Sequence, residues 1–138
     1  MSPLDLLGEW TLDRIVVDHA DGSRRAVLGT ATLRREDDDT VAWTEAGVMT
    51  WAGGSVPVSR TLSIERRDGR WTVYFADGRE FHPWSPGERV VHDCAPDSYA
   101  GLISGTPERW HVLWDASGPA KDYRMESTLT PPRPAPLG

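Results

Sequence analysis

Apolar and polar residues alternate along most of this chain, and Asp-Gly, Gly and Pro interrupt the alternation at short intervals. A period of two marks a strand with one face turned to a core, and no long stretch carries the period of 3.6 that a helix would need. The first strand puts Trp10, Leu12, Arg14 and Val16 on one face. The turn "DHADGS" leads into a second strand over Ala26 to Arg35, and the acidic "EDDD" at Glu36 to Asp39 is a solvated hairpin tip. The third strand, Val41 to Met49, carries Trp43, Glu45 and Met49 on one face. After the bend "WAGGSVP", Val58, Arg60, Leu62 and Ile64 alternate with Ser59, Thr61 and Ser63. Arg67-Asp68-Gly69-Arg70 is a hairpin signal. Trp71 to Phe75 and Arg79 to Trp84 follow, joined at Asp77-Gly78, then Val90 to Cys94, Tyr99 to Ser104, Trp110 to Asp115 and Tyr123 to Thr130.

The pattern amounts to about nine or ten short strands, spaced by roughly 8 to 12 residues. An antiparallel meander that closes on itself is the economical architecture, because an open sheet of that width exposes unpaired edges and a barrel removes them. "DLLGEW" predicts one short helical turn before the first strand, and neither an internal repeat nor a second domain is visible. The expected organisation is one β-barrel domain over residues 1–130, with residues 131–138, "PPRPAPLG", as a flexible Pro-rich tail.

Composition narrows the class of partner. The chain's 138 residues, 38% of them hydrophobic, can build one sizeable core, and a net charge of −6 with scattered Lys and Arg argues against a nucleic-acid surface. "MSPLDLLGEW" has neither a basic leader nor an apolar stretch of signal length, and no segment approaches the roughly 20 apolar residues that span a bilayer. No membrane association is expected, and a cytoplasmic location is. The single cysteine agrees with a reducing compartment. A homodimer through an exposed strand face is the default oligomer.

Several charged residues share faces with apolar ones. Arg14 lies with Trp10 and Leu12, Glu45 with Trp43 and Met49, Arg60 between Val58 and Leu62, and Lys121 and Tyr123 precede Met125 in the same phase. If these faces point inward, the barrel holds three fixed cations against one carboxylate, and burying unpaired charge costs several kcal/mol. Glu45 with one arginine supplies part of the compensation. A bound carboxylate would supply the rest, since guanidinium grips carboxylate through two parallel hydrogen bonds. The seven tryptophans supply core and pocket wall, with Trp43 and Trp114 expected beside a flat or apolar ligand group.

The densest collection of reactive side chains runs from Phe75 to Tyr99, through "FADGREFHPW" and "VVHDCAPDSY". His82, His92, Asp97 and Tyr99 lie on neighbouring segments there, and a histidine oriented by an aspartate can cycle a proton near neutral pH. The alternative is a satisfied polar network that fastens the barrel rim. His92 and Cys94 project from one strand face about 7 Å apart, but the tight ligand series of a zinc site is missing. No metal or cofactor is therefore expected, and Cys94 reads as a buried, inert thiol. His19 and His111 read as surface residues. The phosphate-binding loop, the dinucleotide glycine fingerprint and the nucleophile elbow are all absent.

"GEW" at Gly8 to Trp10 resembles the Gly-x-Trp opening of the calycin superfamily, which includes lipocalins and fatty-acid-binding proteins. The combination "GEWTLDR", "GTATL", "TEAG", "FADGREFH", "HDCAPDSY" and "GPAKDY" is similar to a family of small bacterial and fungal proteins of unknown function regarded as lipocalin-like. The resemblance, running from about Leu7 to about Thr130, implies an antiparallel calycin-like barrel of about eight to ten strands with an internal ligand site. It implies no activity and no catalytic residue. By analogy with fatty-acid-binding relatives, Arg14, Arg60 and Tyr123 would form a carboxylate anchor. Unlike a secreted lipocalin, the sequence shows neither a signal-peptide pattern nor paired cysteines, so extracellular transport is not expected.

The expected function is binding of a small, partly apolar, acidic or carbonyl-bearing molecule, with cyclisation or isomerisation as the chemistry such a pocket can assist. Arg14, Trp43, Glu45, Arg60, Trp114, Lys121 and Tyr123 would hold the ligand, and His82, His92, Asp97 and Tyr99 would move protons. The alternatives are a non-catalytic carrier or sensor, and a filled barrel acting as a protein-interaction module. The number of inward polar groups favours catalysis over simple carriage.

Overall fold

The computed structural model describes residues 1–132 and, of Cys94, the backbone. A 3₁₀ turn, Pro3–Leu6, precedes ten strands: β1 (Gly8–Asp18), β2 (Arg24–Asp37), β3 (Thr40–Trp51), β4 (Gly54–Arg67), β5 (Arg70–Phe75), β6 (Glu80–Pro83), β7 (Val90–Cys94), β8 (Asp97–Thr106), β9 (Arg109–Ser117) and β10 (Asp122–Thr130). From residue 133 onward the expected tail lies outside the described residues, as does the thiol of Cys94.

All pairings are antiparallel, and the order β6-β5-β4-β3-β2-β1-β10-β9-β8-β7 makes the meander an all-β, nearly closed barrel. Closure comes from β10 against β1, with Thr11 opposite Thr130 and Asp18 opposite Tyr123. One seam stays unzipped among the described residues, between β6 and β7 at the two ends of the order.

Local chemistry explains the turns. Asp68 and Gly69 both have positive φ, 53° and 75°, as a two-residue hairpin matched to the strand twist requires. Gly29 and Gly47 face each other across β2 and β3, and a Cβ on either would collide with backbone of the opposite strand. This pair lets the sheet fold sharply over on itself, which closure of so few strands demands.

Alternation gives the barrel its inner face. In β1, Trp10, Leu12 and Arg14 are buried while Thr11 and Asp13 are exposed, and β3 buries Val41, Trp43 and Glu45 in the same way. One end is packed solid. Trp10, Trp43, Trp84 and Trp110 meet there with Leu6, Leu33, Ile64 and Leu129. The N-terminal turn closes this end. Ser2 and Asp5 form a reciprocal capping box, Trp10 Nε1 donates to the Leu6 carbonyl at 2.8 Å, and Trp84 Nε1 donates to the Met1 carbonyl at 3.1 Å. The helical turn thus begins at Pro3, earlier than "DLLGEW" suggested, because Ser2 and Pro3 supply its cap and first position.

Candidate functional site

The other end of the barrel, where the β1–β2, β3–β4, β5–β6, β7–β8 and β9–β10 turns gather, is hollow. A cavity of about 480 Å³ opens there, lined by residues from every strand between β4 and β10. One wall is aromatic. Phe75 and Phe81 stack at a centroid distance of 4.3 Å, Phe81 meets Trp114 edge-on at 4.3 Å, and Trp114 lies nearly parallel to Tyr99 at 5.7 Å. The remaining lining is polar or flexible: Arg60, Lys121, Tyr123, His92 and Met125, with Arg79 and Glu80 at the β5–β6 turn.

Arg60 connects this cavity to a buried charge cluster. Arg14 Nη2 donates to both carboxylate oxygens of Glu45, at 2.9 and 3.0 Å, and Arg60 Nε donates to Oε1 at 2.5 Å. Arg14 Nε donates to Ser127 Oγ at 2.7 Å, and Trp43 Nε1 donates to Glu45 Oε2 at 3.2 Å. The strand phases bring these groups together, since Glu45 lies directly opposite Arg60 and Arg14 opposite Ser127. Burial raises the Glu45 pKa, but the charges of Arg60 and Arg14 and their hydrogen bonds together outweigh it and leave the carboxyl below its ordinary value. Burial, and then repulsion from Arg60, lower the Arg14 pKa against the attraction of Glu45. Two guanidiniums share one carboxylate, so the cluster carries one surplus positive charge.

On the opposite side, Lys121 Nζ donates to the Tyr99 hydroxyl at 2.9 Å and stands 3.7 Å from Asp97. The Tyr99 hydrogen bond is the main reason the Lys121 pKa is raised, which keeps the ammonium charged. Burial raises the Tyr123 pKa, so its phenol remains a neutral donor.

The residues singled out from sequence fall into three places. His92, Tyr99, Arg60, Trp114, Lys121 and Tyr123 border the cavity. Arg14, Trp43 and Glu45 lie behind Arg60, in the cluster itself. Asp97 does not border the cavity and reaches it through Lys121. His82 sits apart from the proposed proton-moving group. It borders a narrow crevice with Pro83, Ser85 and Val90 at the β6–β7 seam, and its ring packs on Phe81 and Trp114.

The displacement of His82 has a local cause. The β5–β6 pairing shifts register between Val73, opposite His82, and Tyr74, opposite Glu80, so Phe81 is an extra residue and both Phe81 and His82 turn inward. His82 Nδ1 faces the Pro83 carbonyl at 3.0 Å, and a carbonyl only accepts, so Nδ1 carries the proton. Burial lowers the His82 pKa, so the ring is held neutral. No hydrogen bond joins either histidine to Asp97 among the described residues. Phe75, Phe81 and Met125, which complete the apolar lining, were missed. The Asp77-Gly78 turn was the available signal for Phe75, because it pairs β5 with β6; the extra residue that turns Phe81 inward has no such signal.

Residues 6–131 match a family described as "Family of unknown function (DUF6314)". The chain belongs to this family. Among curated proteins none matches the DUF6314 chain. Its fold is similar to that of the S-type phycobiliprotein lyase CPES from Guillardia theta, with a TM-score of 0.67, 11% identity, and coverage of 96% of this chain and 92% of that one. It is also similar to the redesigned β-barrel mFAP1 bound to DFHBI, with a TM-score of 0.51, 12% identity, and 94% and 97% coverage. A third similar fold is a de novo designed fluorescence-activating β-barrel, with a TM-score of 0.51, 16% identity, and 94% and 96% coverage. At these identities the likeness shows the β-barrel fold alone. No helix of the DUF6314 chain is long and apolar enough to cross a membrane.

Proposed function

We propose that this DUF6314 chain binds a small, partly apolar organic molecule bearing an acid or carbonyl group in the cavity at the hollow end of its barrel. The observation that carries this reading is the juxtaposition of the aromatic wall with Arg60, whose cluster holds one positive charge more than Glu45 can balance. An acidic ligand would present its carboxylate to Arg60 and to the neutral phenol of Tyr123, and lay its apolar body along Phe75, Phe81 and Trp114. A neighbouring barrel that holds DFHBI supports the idea that this architecture takes up a small molecule. A cytoplasmic setting agrees with the single cysteine.

A second reading adds catalysis, and one contact favours it. The Lys121 ammonium donates to the Tyr99 hydroxyl. A tyrosine polarised in this way donates a stronger hydrogen bond to a ligand carbonyl. In an isomerisation, Tyr99 would stabilise charge developing on that oxygen while His92 takes a proton from one carbon and returns it to another, so that nothing is consumed. Asp97 would act by positioning Lys121. The carrier or sensor version keeps Arg60 and the aromatic wall and needs none of these proton transfers.

The experiment is native mass spectrometry of the protein purified from its own host, followed by denaturation and identification of any released molecule. A stoichiometric organic acid or carbonyl compound supports binding, and its turnover, lost in His92→Ala while affinity is kept, supports catalysis. An apo mass, with no tryptophan-fluorescence response to a panel of aromatic and aliphatic acids, rejects the ligand reading and favours a protein-interaction module.

A further inference from the structure

Behind Arg60 lies a second chamber of about 90 Å³, separate from the large cavity. Arg60 is the only residue, among those described, that lines both spaces. Leu12, Val27 and Val58 give the smaller chamber apolar walls, and Arg14 and Glu45 face it with Arg60. These charges are deeply placed, with Arg14 7% and Glu45 4% exposed.

The hydrogen bonds show what is satisfied and what is left over. Both oxygens of Glu45 are engaged, by Arg14, Arg60 and Trp43. Arg14 uses Nε and Nη2, and Arg60 uses Nε; among the described residues Nη1 of Arg14 and both terminal nitrogens of Arg60 have no hydrogen-bond partner. Each of those nitrogens carries two N–H donors. The chamber is therefore bordered by two arginines that have spare donors and share one surplus positive charge. At about a fifth of the volume of the large cavity, it has room for a small planar oxyanion but not for the organic ligand's apolar body.

We propose that this chamber is a binding site for one small monoanionic oxyanion of the carboxylate or nitrate class. A dianion exceeds the single surplus charge. The anion can be a free small acid, or the acid end of the cavity ligand reaching past Arg60. The second source rests on the ligand reading above, whereas the site itself does not.

The test uses the intact chain with sodium formate, at ionic strength matched with chloride, and with sulfate as the dianion control. Formate is expected to raise Tm above the chloride control and to shift the Arg14 and Arg60 Nε–H resonances saturably, and sulfate, whose general salting effect raises Tm without a site, is expected to leave those resonances unshifted. Val58→Phe fills the chamber from a wall the large cavity lacks. It should abolish both responses to formate while leaving uptake of the neutral dye Nile red by the large cavity intact. Glu45→Gln removes the competing carboxylate and should make Tm more strongly formate-dependent than in the parent chain.

Absence of the arginine shifts in the parent chain, equal arginine shifts with sulfate, or a formate response that survives Val58→Phe would overturn the proposal. If Val58→Phe fails to fold, the parent-chain spectra and the Glu45→Gln comparison still decide. Competition between formate and an aromatic monocarboxylate assigns the chamber to the ligand's own acid group, and simultaneous binding assigns it to a free small anion. Loss of dye and aromatic-acid binding alone, with the formate response intact, would count against the large-cavity reading and leave the chamber standing.

Discussion

At the end closed by the N-terminal turn, Trp10, Trp43, Trp84 and Trp110 contact one another at centroid distances of 5.6 to 6.3 Å. At the other end, Trp114 meets Tyr99, Phe81 and open space. Both ends are rich in aromatic residues, yet only the first fills its volume. The difference is what accompanies the rings. At the closed end, Leu, Ile and Val complete a core without charge, while one residue further along the inner face of β1, β3 and β4 the chain places Arg14, Glu45 and Arg60. Charged groups that must keep hydrogen-bond partners cannot be packed as densely as hydrocarbon, and the barrel stays open above them. The packed core lies at one end and the candidate site at the other.

The largest effect expected from this contrast is at the closed end. Trp110→Ala should cost about 3–5 kcal/mol through lost burial and the cavity left behind, read as a shift in the urea midpoint. Trp114→Ala should cost clearly less, because its ring already borders a void. Equal losses at the two positions would break the division between the ends.

Glu45→Ala comes next. Removing the shared carboxylate leaves two guanidiniums buried without a counter-charge, and breaking a buried pair in this way costs ~3–5 kcal/mol. The same carboxylate sets an acid limit. Its folded pKa lies below the ordinary value, so its contribution is complete above the unfolded carboxylate range, around pH 4, and is lost as pH falls through the folded value. Denaturation midpoints should therefore fall steeply at acid pH, less so in a Glu45→Gln chain.

His82 gives a smaller, separate slope. Its folded pKa is depressed by burial, so the unfolded chain binds the proton more readily, and stability is complete above the unfolded value of about 6.5 and declines as pH drops from there toward the folded value. His82→Phe should flatten that part of the profile. An unchanged profile would mean that the ring is not held neutral at the seam.

The smallest effects on stability belong to the cavity rim. Lys121→Ala and Tyr123→Phe remove exposed or half-buried groups at the mouth and should change stability by no more than about 0.5 kcal/mol. Their effect should appear in ligand affinity instead. A large loss of stability at either position would mean that the rim holds the barrel together.

How much of this was legible in the sequence depended on alternation. The strand Val90–Cys94 and the inward phases of Arg14, Glu45 and Arg60 followed from period two, because no bulge interrupts β1, β3 or β4 near those residues. Phe81 and His82 did not, since a single extra residue in β6 turns both inward and no composition signal marks it. Nor did the sequence distinguish the packed tryptophans from Trp114. That division arises only when β10 closes on β1 and the N-terminal turn covers one end, a consequence of long-range pairing rather than of local pattern. The acidic tip behaved as local chemistry dictated. Asp38 and Asp39 are exposed, with Arg66 Nε donating to Asp39 at 2.9 Å.

The central claim is that an organic acid enters the hollow end and is held by Arg60. It is tested most directly by titrating the DUF6314 chain and its Arg60→Gln variant with a naphthalene monocarboxylate, following tryptophan fluorescence and heat of binding together. The account predicts saturable one-to-one binding to the parent chain, quenching that disappears in Trp114→Phe, and a large loss of affinity in Arg60→Gln. Equal affinity in the parent chain and Arg60→Gln, or no saturable binding of any acid to either, would contradict it.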